Sequence, residues 1–198
     1  LDLKLHGLCF SAYQEGQGPD LQPVLSEDQV RARLARIAPH TRWIRTFSCI
    51  EGNEHAPRLA REWGLHTLVG AWIGEDREKN AAESAGVVEV ARAGHADLVA
   101  VGNEVLLRGE MSEEELAGLL HQVTAALPGV PVATVDAYFL CSRSAVTSIF
   151  PSGNKRDTPA VAATAQRAAR SARLIRSTPR QDRGLTRRQN PLMIWVTE

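Results

Sequence analysis

The 198-residue chain has few cysteines, few aromatic residues and no long apolar run. Its three cysteines, Cys9, Cys49 and Cys141, are an odd number without metal-ligand spacing, which argues against a disulfide framework and a structural zinc. No stretch of about 18 apolar residues occurs, so the sequence predicts no membrane span. With 43% hydrophobic residues, the chain is long enough for one domain with a sizeable core.

Motifs for phosphates and metals are also missing. The first predicted strand is not followed by GxGxxG, and GxxxxGK[ST] does not occur, which argues against nucleotide binding. His6, His66 and His95 lack the HxH or HExxH spacing of metal ligands. The sequence therefore predicts neither a metal site nor a cofactor.

The formal net charge is zero, but the charges are unevenly distributed. Residues 1–151 carry 13 Lys/Arg and 20 Asp/Glu, whereas residues 152–190 carry 10 and 2. Ten basic residues could neutralise phosphates. However, no aromatic residue lies between Phe150 and Trp195 to stack on bases, so we predict no nucleic-acid partner.

Residues 1–138 alternate predicted strands and helices with short connections, which is typical of a parallel sheet or barrel. The two capping-box patterns are Ser26-x-x-Gln29 and Ser112-x-x-Glu115. The predicted strands are 3–10, 42–49, 66–73, 97–101 and 130–135. Cys9 and Cys49 fall within these strands, where we expect small buried apolar side chains.

Four and a half strand–helix units in 138 residues give about the same number of residues per unit as a TIM barrel, which has eight units in ~250 residues. A doubly wound sheet is the rival. The sequence therefore predicts an α/β fold of the (β/α)8 TIM-barrel type, with residues 1–138 as its N-terminal part. Residues 139–198 do not continue this alternation of strands and helices. Within them, residues 191–197 resemble one further strand, and the sequence shows no eighth strand.

Two explanations fit this atypical basic segment. A natural variant could have its barrel completed differently, for example by another chain, or the reading frame could have changed after Tyr138. The abrupt change in charge favours the second explanation. An incomplete barrel exposes strand edges, so we also expect self-association.

The most informative segment is the apolar strand that ends in Asn103-Glu104. Strands of a parallel sheet deliver their first polar side chains to the edge where ligands bind. A carboxylate there can protonate a leaving oxygen, and an adjacent amide can hold a substrate hydroxyl. The alternative is that Glu104 caps the next helix or lies in solvent.

The other predicted strand ends also carry polar and aromatic side chains. Aromatic rings stack on the apolar faces of sugars, and amide or acid groups hold hydroxyls, so the set favours a carbohydrate ligand. The candidate substrate-binding residues are Tyr13, Arg45, Trp72, Asn103, Asp136 and Tyr138.

Each candidate has a structural alternative. Trp72 could belong to the core, and Tyr13 could cover a barrel end. Arg45 could pair with Glu104 or another buried acid as scaffold, or tune the pKa of that acid. Asp136 could be the N-cap of the next helix.

Together, five motifs resemble glycoside hydrolase family 17, particularly its bacterial branch. They fall in the family's order within residues 5–138. The motifs are Gly7-Leu8-Cys9-Phe10-Ser11-Ala12-Tyr13 with Pro19, Ile44-Arg45-Thr46-Phe47, Gly70-Ala71-Trp72-Ile73 followed by Asn80, Val101-Gly102-Asn103-Glu104-Val105-Leu106, and Pro131-Val132-Ala133-Thr134-Val135-Asp136.

The resemblance implies a (β/α)8 barrel that acts on β-1,3-glucan with retention of configuration, as an endoglucanase or a glucanosyltransferase. It implies that Glu104 is the acid/base and that Asn103 contacts the substrate. The family nucleophile is a Glu that closes strand seven, for which Glu198 is the candidate, although the Thr-Gly-Trp-Pro that usually follows is absent. The family also implies a cell-envelope, periplasmic or extracellular location. The alternative is an inactive barrel fragment, or a protein that binds glucan without cleaving it.

Overall fold

The computed structural model describes residues 4–21 and 23–137. Strands and helices alternate along this part of the chain, as the sequence predicts. The elements are β1 (Leu5–Cys9), α1 (Glu27–Ile37), β2 (Thr41–Arg45), α2 (His55–Glu62), β3 (His66–Ala71), α3 (Arg77–Arg92), β4 (Leu98–Asn103), α4 (Glu113–Ala126) and β5 (Val132–Val135).

The five strands form one parallel sheet in the sequential order β1-β2-β3-β4-β5. In a doubly wound sheet the order reverses at a switch point, whereas a TIM barrel keeps it sequential with one helix after each strand. Within the described residues, five parallel strands alternate with helices as in part of a (β/α)8 barrel, so the predicted α/β fold class is confirmed. All five strands therefore end at the same edge, which is where a barrel of this type has its site.

Two apolar clusters lie between the sheet and the helices. One packs the helix-facing side chains of β3 and β4, such as Val69 and Val99, against α3 and α4. The other packs Ile44 of β2 against α1 and α2. On the opposite face of the sheet, Leu68 and Ala100 pack together with Val135. The alternation fixes which side chains of each strand point into the barrel.

Both capping predictions can be compared with the structure. Ser112 and Glu115 form the complete capping box of α4. Ser26 does cap α1 by accepting from Gln29 N, but the Gln29 side chain donates instead to Ala12 O at 2.9 Å. The first box is therefore only half formed, because the Gln29 amide joins α1 to the loop after β1.

The ends of two strands and the exposure of Cys9 differ from the sequence predictions. β2 ends at Arg45 rather than Cys49, and beyond it Ser48 Oγ and Cys49 N donate to Glu83 of α3. β4 extends to Asn103. Cys49 is buried as expected, but the prediction for Cys9 was wrong, because its side chain is exposed. Cys9 lies on β1, which pairs only with β2 within the described residues.

Several predictions concern residues outside the described ranges. These are the basic segment 139–198, the late strand at 191–197, Tyr138 and Glu198. None of the helices in residues 4–21 and 23–137 has the length and hydrophobicity that a membrane span requires.

Candidate active site

Glu104 leaves the end of β4 in an unusual backbone conformation. Its φ is 54°, in the left-handed region that residues other than glycine rarely adopt. The pairing of β4 with β5 is irregular between Ala100 and Asn103, and the Glu104 N–H donates to Val135 O at 2.7 Å. Bulges and strained residues often re-aim side chains at functional sites. Here they turn the chain just where the carboxylate is attached.

Asn103, the residue before Glu104, is held by Arg45. The Nη2 of Arg45 donates to Asn103 Oδ1 at 2.6 Å. Arg45 is only 7% exposed, and burial lowers its pKa, while the nearby Cys9 sulfur and Glu104 carboxylate act in the opposite direction. Because Arg45 occupies the carbonyl oxygen of the amide, the Nδ2 hydrogens of Asn103 are left to donate to another group.

Trp72 follows β3 and is 37% exposed. The alternative that it belongs to the core is therefore wrong. The guanidinium carbon of Arg108 lies 4.8 Å from the centroid of the Trp72 ring. An exposed indole backed by a cation offers an apolar surface with a fixed orientation.

Asp136 follows β5 and is 2% exposed. Its Oδ2 accepts from the Leu106 N–H at 2.8 Å. In the same loop, Arg108 N–H donates to Glu104 O at 2.9 Å, forming one turn directly after β4. Asp136 thus stabilises the loop that carries Glu104. The helix that it was alternatively predicted to cap would lie outside the described residues.

Two buried polar side chains of α3 support the neighbouring loops. Glu83 is 0% exposed, and its carboxylate accepts from Ser48 Oγ at 2.5 Å and from Cys49 N at 2.8 Å. Asn80 accepts from Gly74 N at 2.8 Å and donates to Gly74 O at 2.7 Å. The loops after β2 and β3 are therefore both fastened to one helix.

Glu83 gives a testable pH dependence. Burial raises its pKa above the usual 4.5, although the hydrogen bonds from Ser48 and Cys49 oppose this shift. The folded chain thus holds the Glu83 proton more tightly than the unfolded chain, so this group makes stability fall as the pH rises from 4.5 through the folded-state pKa. We expect Glu83→Gln to remove this slope, as measured by the melting temperature at closely spaced pH values.

The matched control is Glu89→Gln, because Glu89 lies exposed on the same helix. Its melting curve against pH should run parallel to that of the wild type. A Glu83→Gln curve that also stays parallel to the wild type would show that Glu83 does not titrate as its burial requires.

The structure brings together most of the residues predicted from the strand ends. Arg45, Asn103 and Glu104 are neighbours, and Trp72 joins them through Arg108, whose Nη1 donates to Asn103 O. Tyr13 differs: its ring packs partly against the apolar cluster beneath α1 and α2, and its carbonyl accepts from Arg33. Within residues 4–21 and 23–137, no three His, Cys, Asp or Glu side chains are grouped as metal ligands.

Two residues of this rim, Glu83 and Arg108, are not among the predicted site residues. For Glu83 there was a signal, since it lies one helical turn before Val87 on the buried stripe of α3. An acidic residue on such a stripe indicates a buried hydrogen-bonding role. Arg108 lies in a loop without periodicity, and its contacts join segments far apart in sequence.

In the described part of the chain, the rim combines the Glu104 carboxylate, the oriented amide of Asn103 and the exposed indole of Trp72. A comparison with models of protein families identifies the family to which the chain belongs. The BtgE/BtgC glycoside hydrolase domain matches residues 7–148. The chain belongs to the BtgE/BtgC glycoside hydrolase domain family. The resemblance seen in the motifs is thereby confirmed at the level of a glycoside hydrolase.

Two solved structures resemble this BtgE/BtgC domain. One is a glycoside hydrolase family 17 β-1,3-glucanosyltransferase from Rhizomucor miehei, 24% identical with a TM-score of 0.56. The other is an active-site mutant of the R. miehei β-1,3-glucanosyltransferase in complex with laminaritriose, 25% identical with a TM-score of 0.56. Each alignment covers 68% of this chain and 50% of the other, so this chain spans about half the length of those enzymes. No curated protein matches.

Proposed function

We propose that this chain acts on β-1,3-glucan as a retaining glycoside hydrolase or glucanosyltransferase, with Glu104 as acid/base. The observation that carries the proposal is the pair Asn103-Glu104 at the end of β4. The left-handed backbone at Glu104 sets the direction in which its side chain leaves the strand end, and Arg45 holds the Asn103 amide by a hydrogen bond. The likeness to a solved β-1,3-glucanosyltransferase supports the choice of substrate.

In the proposed reaction, Glu104 first donates its proton to the glycosidic oxygen as the bond to the anomeric carbon breaks. A second carboxylate, about 5–5.5 Å away in retaining enzymes, attacks that carbon and forms a glycosyl-enzyme. Glu198 stays our proposed nucleophile, and it lies outside the described residues. Glu104 then removes a proton from water or from a glucan hydroxyl, and the oxygen of that acceptor attacks the anomeric carbon and displaces the carboxylate nucleophile. Water as acceptor gives hydrolysis, and a glucan hydroxyl gives transfer.

The remaining residues have supporting roles in this proposal. Asn103 donates to a substrate hydroxyl through Nδ2, because Arg45 holds its Oδ1. Trp72 stacks on a glucosyl ring, and Tyr13 and Tyr138 stay predicted sugar contacts. For Asp136 we now propose an indirect role, since its carboxylate bonds to the loop after β4. By resemblance to the bacterial branch of family 17, the substrate is proposed to be a glucan of the cell envelope.

The test uses the full chain with laminari-oligosaccharides of defined length. Hydrolysis releases reducing ends, whereas transfer redistributes chain lengths without a net gain of reducing ends. Retention predicts that proton NMR detects the β-anomer first. Cello-oligosaccharides are the linkage control and should not react. Binding without either kind of product would overturn the catalytic proposal in favour of a non-cleaving glucan-binding protein.

A further inference from the structure

The guanidinium group of Arg108 lies between the ends of β3 and β4. Its Nη2 donates to Ile73 O at 3.1 Å, and its Nη1 donates to Asn103 O. Ile73 follows Trp72, and Asn103 precedes Glu104. One side chain therefore links the backbone segments that carry the exposed indole and the proposed acid/base.

Glu110 holds this guanidinium in a fixed plane. Arg108 Nε donates to Glu110 Oε1 and Nη2 donates to Glu110 Oε2, both at 2.7 Å. The hydrogen bonds from Arg108 hold the pKa of Glu110 below its usual range, so Glu110 is a carboxylate at neutral pH. A two-point pair of this kind needs the planar fork of arginine, which lysine cannot supply.

The same group covers part of the Trp72 ring. With the guanidinium carbon 4.8 Å from the ring centroid, one face of the indole is backed by a cation. A pyranose ring can then stack only on the other face. The position of a stacked sugar is thus set by the atoms that also bond to Asn103 O.

We propose that Arg108 is a positioning residue, which fixes the plane of Trp72 relative to Glu104 without touching the reacting atoms itself. This inference rests on the proposed function. Stacking on Trp72 would bring the glycosidic oxygen to Glu104 only if the ring has one orientation. Since small misplacements in an active site can cost about 10²-fold in rate, loosening the ring should affect catalysis more than folding.

The first measurement compares Arg108→Lys with the wild-type chain on laminari-oligosaccharides. Lysine keeps the charge but lacks the planar guanidinium that pairs with Glu110 through two nitrogens and lies over the Trp72 ring. We expect kcat/KM to fall about 10- to 100-fold. In a Trp72→Ala background the same substitution should change kcat/KM less than about twofold, since the ring that it positions is gone. The control is Arg77→Lys, because Arg77 is 90% exposed and pairs with Glu115 on α4.

A second measurement needs no glucan. Acrylamide quenching of tryptophan fluorescence should increase in Arg108→Lys, and this difference should vanish in the Trp72→Ala background. If Arg108→Lys does not fold, both measurements are made on Glu110→Gln instead, because that substitution weakens the Arg108–Glu110 pair.

The inference is overturned by unchanged quenching in Arg108→Lys, or by a loss of activity that is equally large with and without Trp72. A quenching change in a chain that does not act on laminari-oligosaccharides would support the positioning role while removing the proposed function. The two ideas can therefore fail separately.

Discussion

Replacing Glu104 by glutamine is expected to reduce turnover of laminari-oligosaccharides by about 10²–10⁴-fold, which is the usual contribution of a positioned acid/base. Glutamine keeps the size of the side chain but can neither donate the proton to the glycosidic oxygen nor accept one from water. Reducing-end release and chain-length redistribution measure the change. Binding of the oligosaccharide should be largely retained.

A substrate with a good leaving group makes this prediction specific. An aryl glycoside of a β-1,3-linked glucose oligomer, with an acidic phenol as leaving group, needs little proton donation. Glu104→Gln should therefore slow cleavage of the bond to the phenol much less than it slows cleavage of laminari-oligosaccharides. The control is Glu114→Gln, an exposed residue of α4, which should behave as the wild type. Equal losses on both substrates would remove Glu104 from the role of proton donor.

Gly86→Ala is expected to lower the free energy of unfolding by about 1–3 kcal/mol, the usual cost of adding a methyl group to a filled space. A Cβ at Gly86 would lie 2.6 Å from Cys49 O and 3.0 Å from Cys49 Cβ. Both neighbours belong to the loop that Glu83 holds, and the backbone oxygen cannot move away cheaply. Urea unfolding at neutral pH measures the change.

The chain offers a matched control for this substitution. Gly118 lies in α4, and a Cβ there would have no neighbour within 4 Å. Gly118→Ala should therefore raise the free energy of unfolding by about 0.5–1 kcal/mol, because alanine is the better helix former. If Gly86→Ala raised the free energy of unfolding as much as Gly118→Ala, α3 would not lie as close to the loop after β2 as the structure shows.

Glu83 and Gly86 both act where α3 packs against the loop after β2. Glu83 and Gly86 are three residues apart on α3, so they lie on the same face of the helix. Glycine lets the helix approach the loop after β2, and the carboxylate then bonds to Ser48 and Cys49. Since Asn80 of the same helix bonds to Gly74, the helix positions the loops after two neighbouring strands.

The residues of the strands and helices determined much of the fold by themselves. Runs such as Leu98–Val101 are apolar at every position, which is typical of a strand covered on both faces. Ser112 and Glu115 fix the start of α4 locally, because each bonds to the backbone of the other. The pairing Asn103-Glu104 at the end of such a strand also predicted where the rim would be.

Tertiary structure decided the contacts between segments that are far apart in sequence. Gln29 fits a capping box by pattern, yet its amide bonds to Ala12 O, seventeen residues earlier. Arg45 reaches Asn103 across 58 positions, and Arg108 reaches Ile73 across 35. Local patterns carry no information on such pairs, because each polar side chain has several partners available and the packing of the sheet selects one. The amino-acid sequence alone thus determined the parallel β/α order and the location of Glu104. Only the packing of neighbouring strand ends decided which groups orient it.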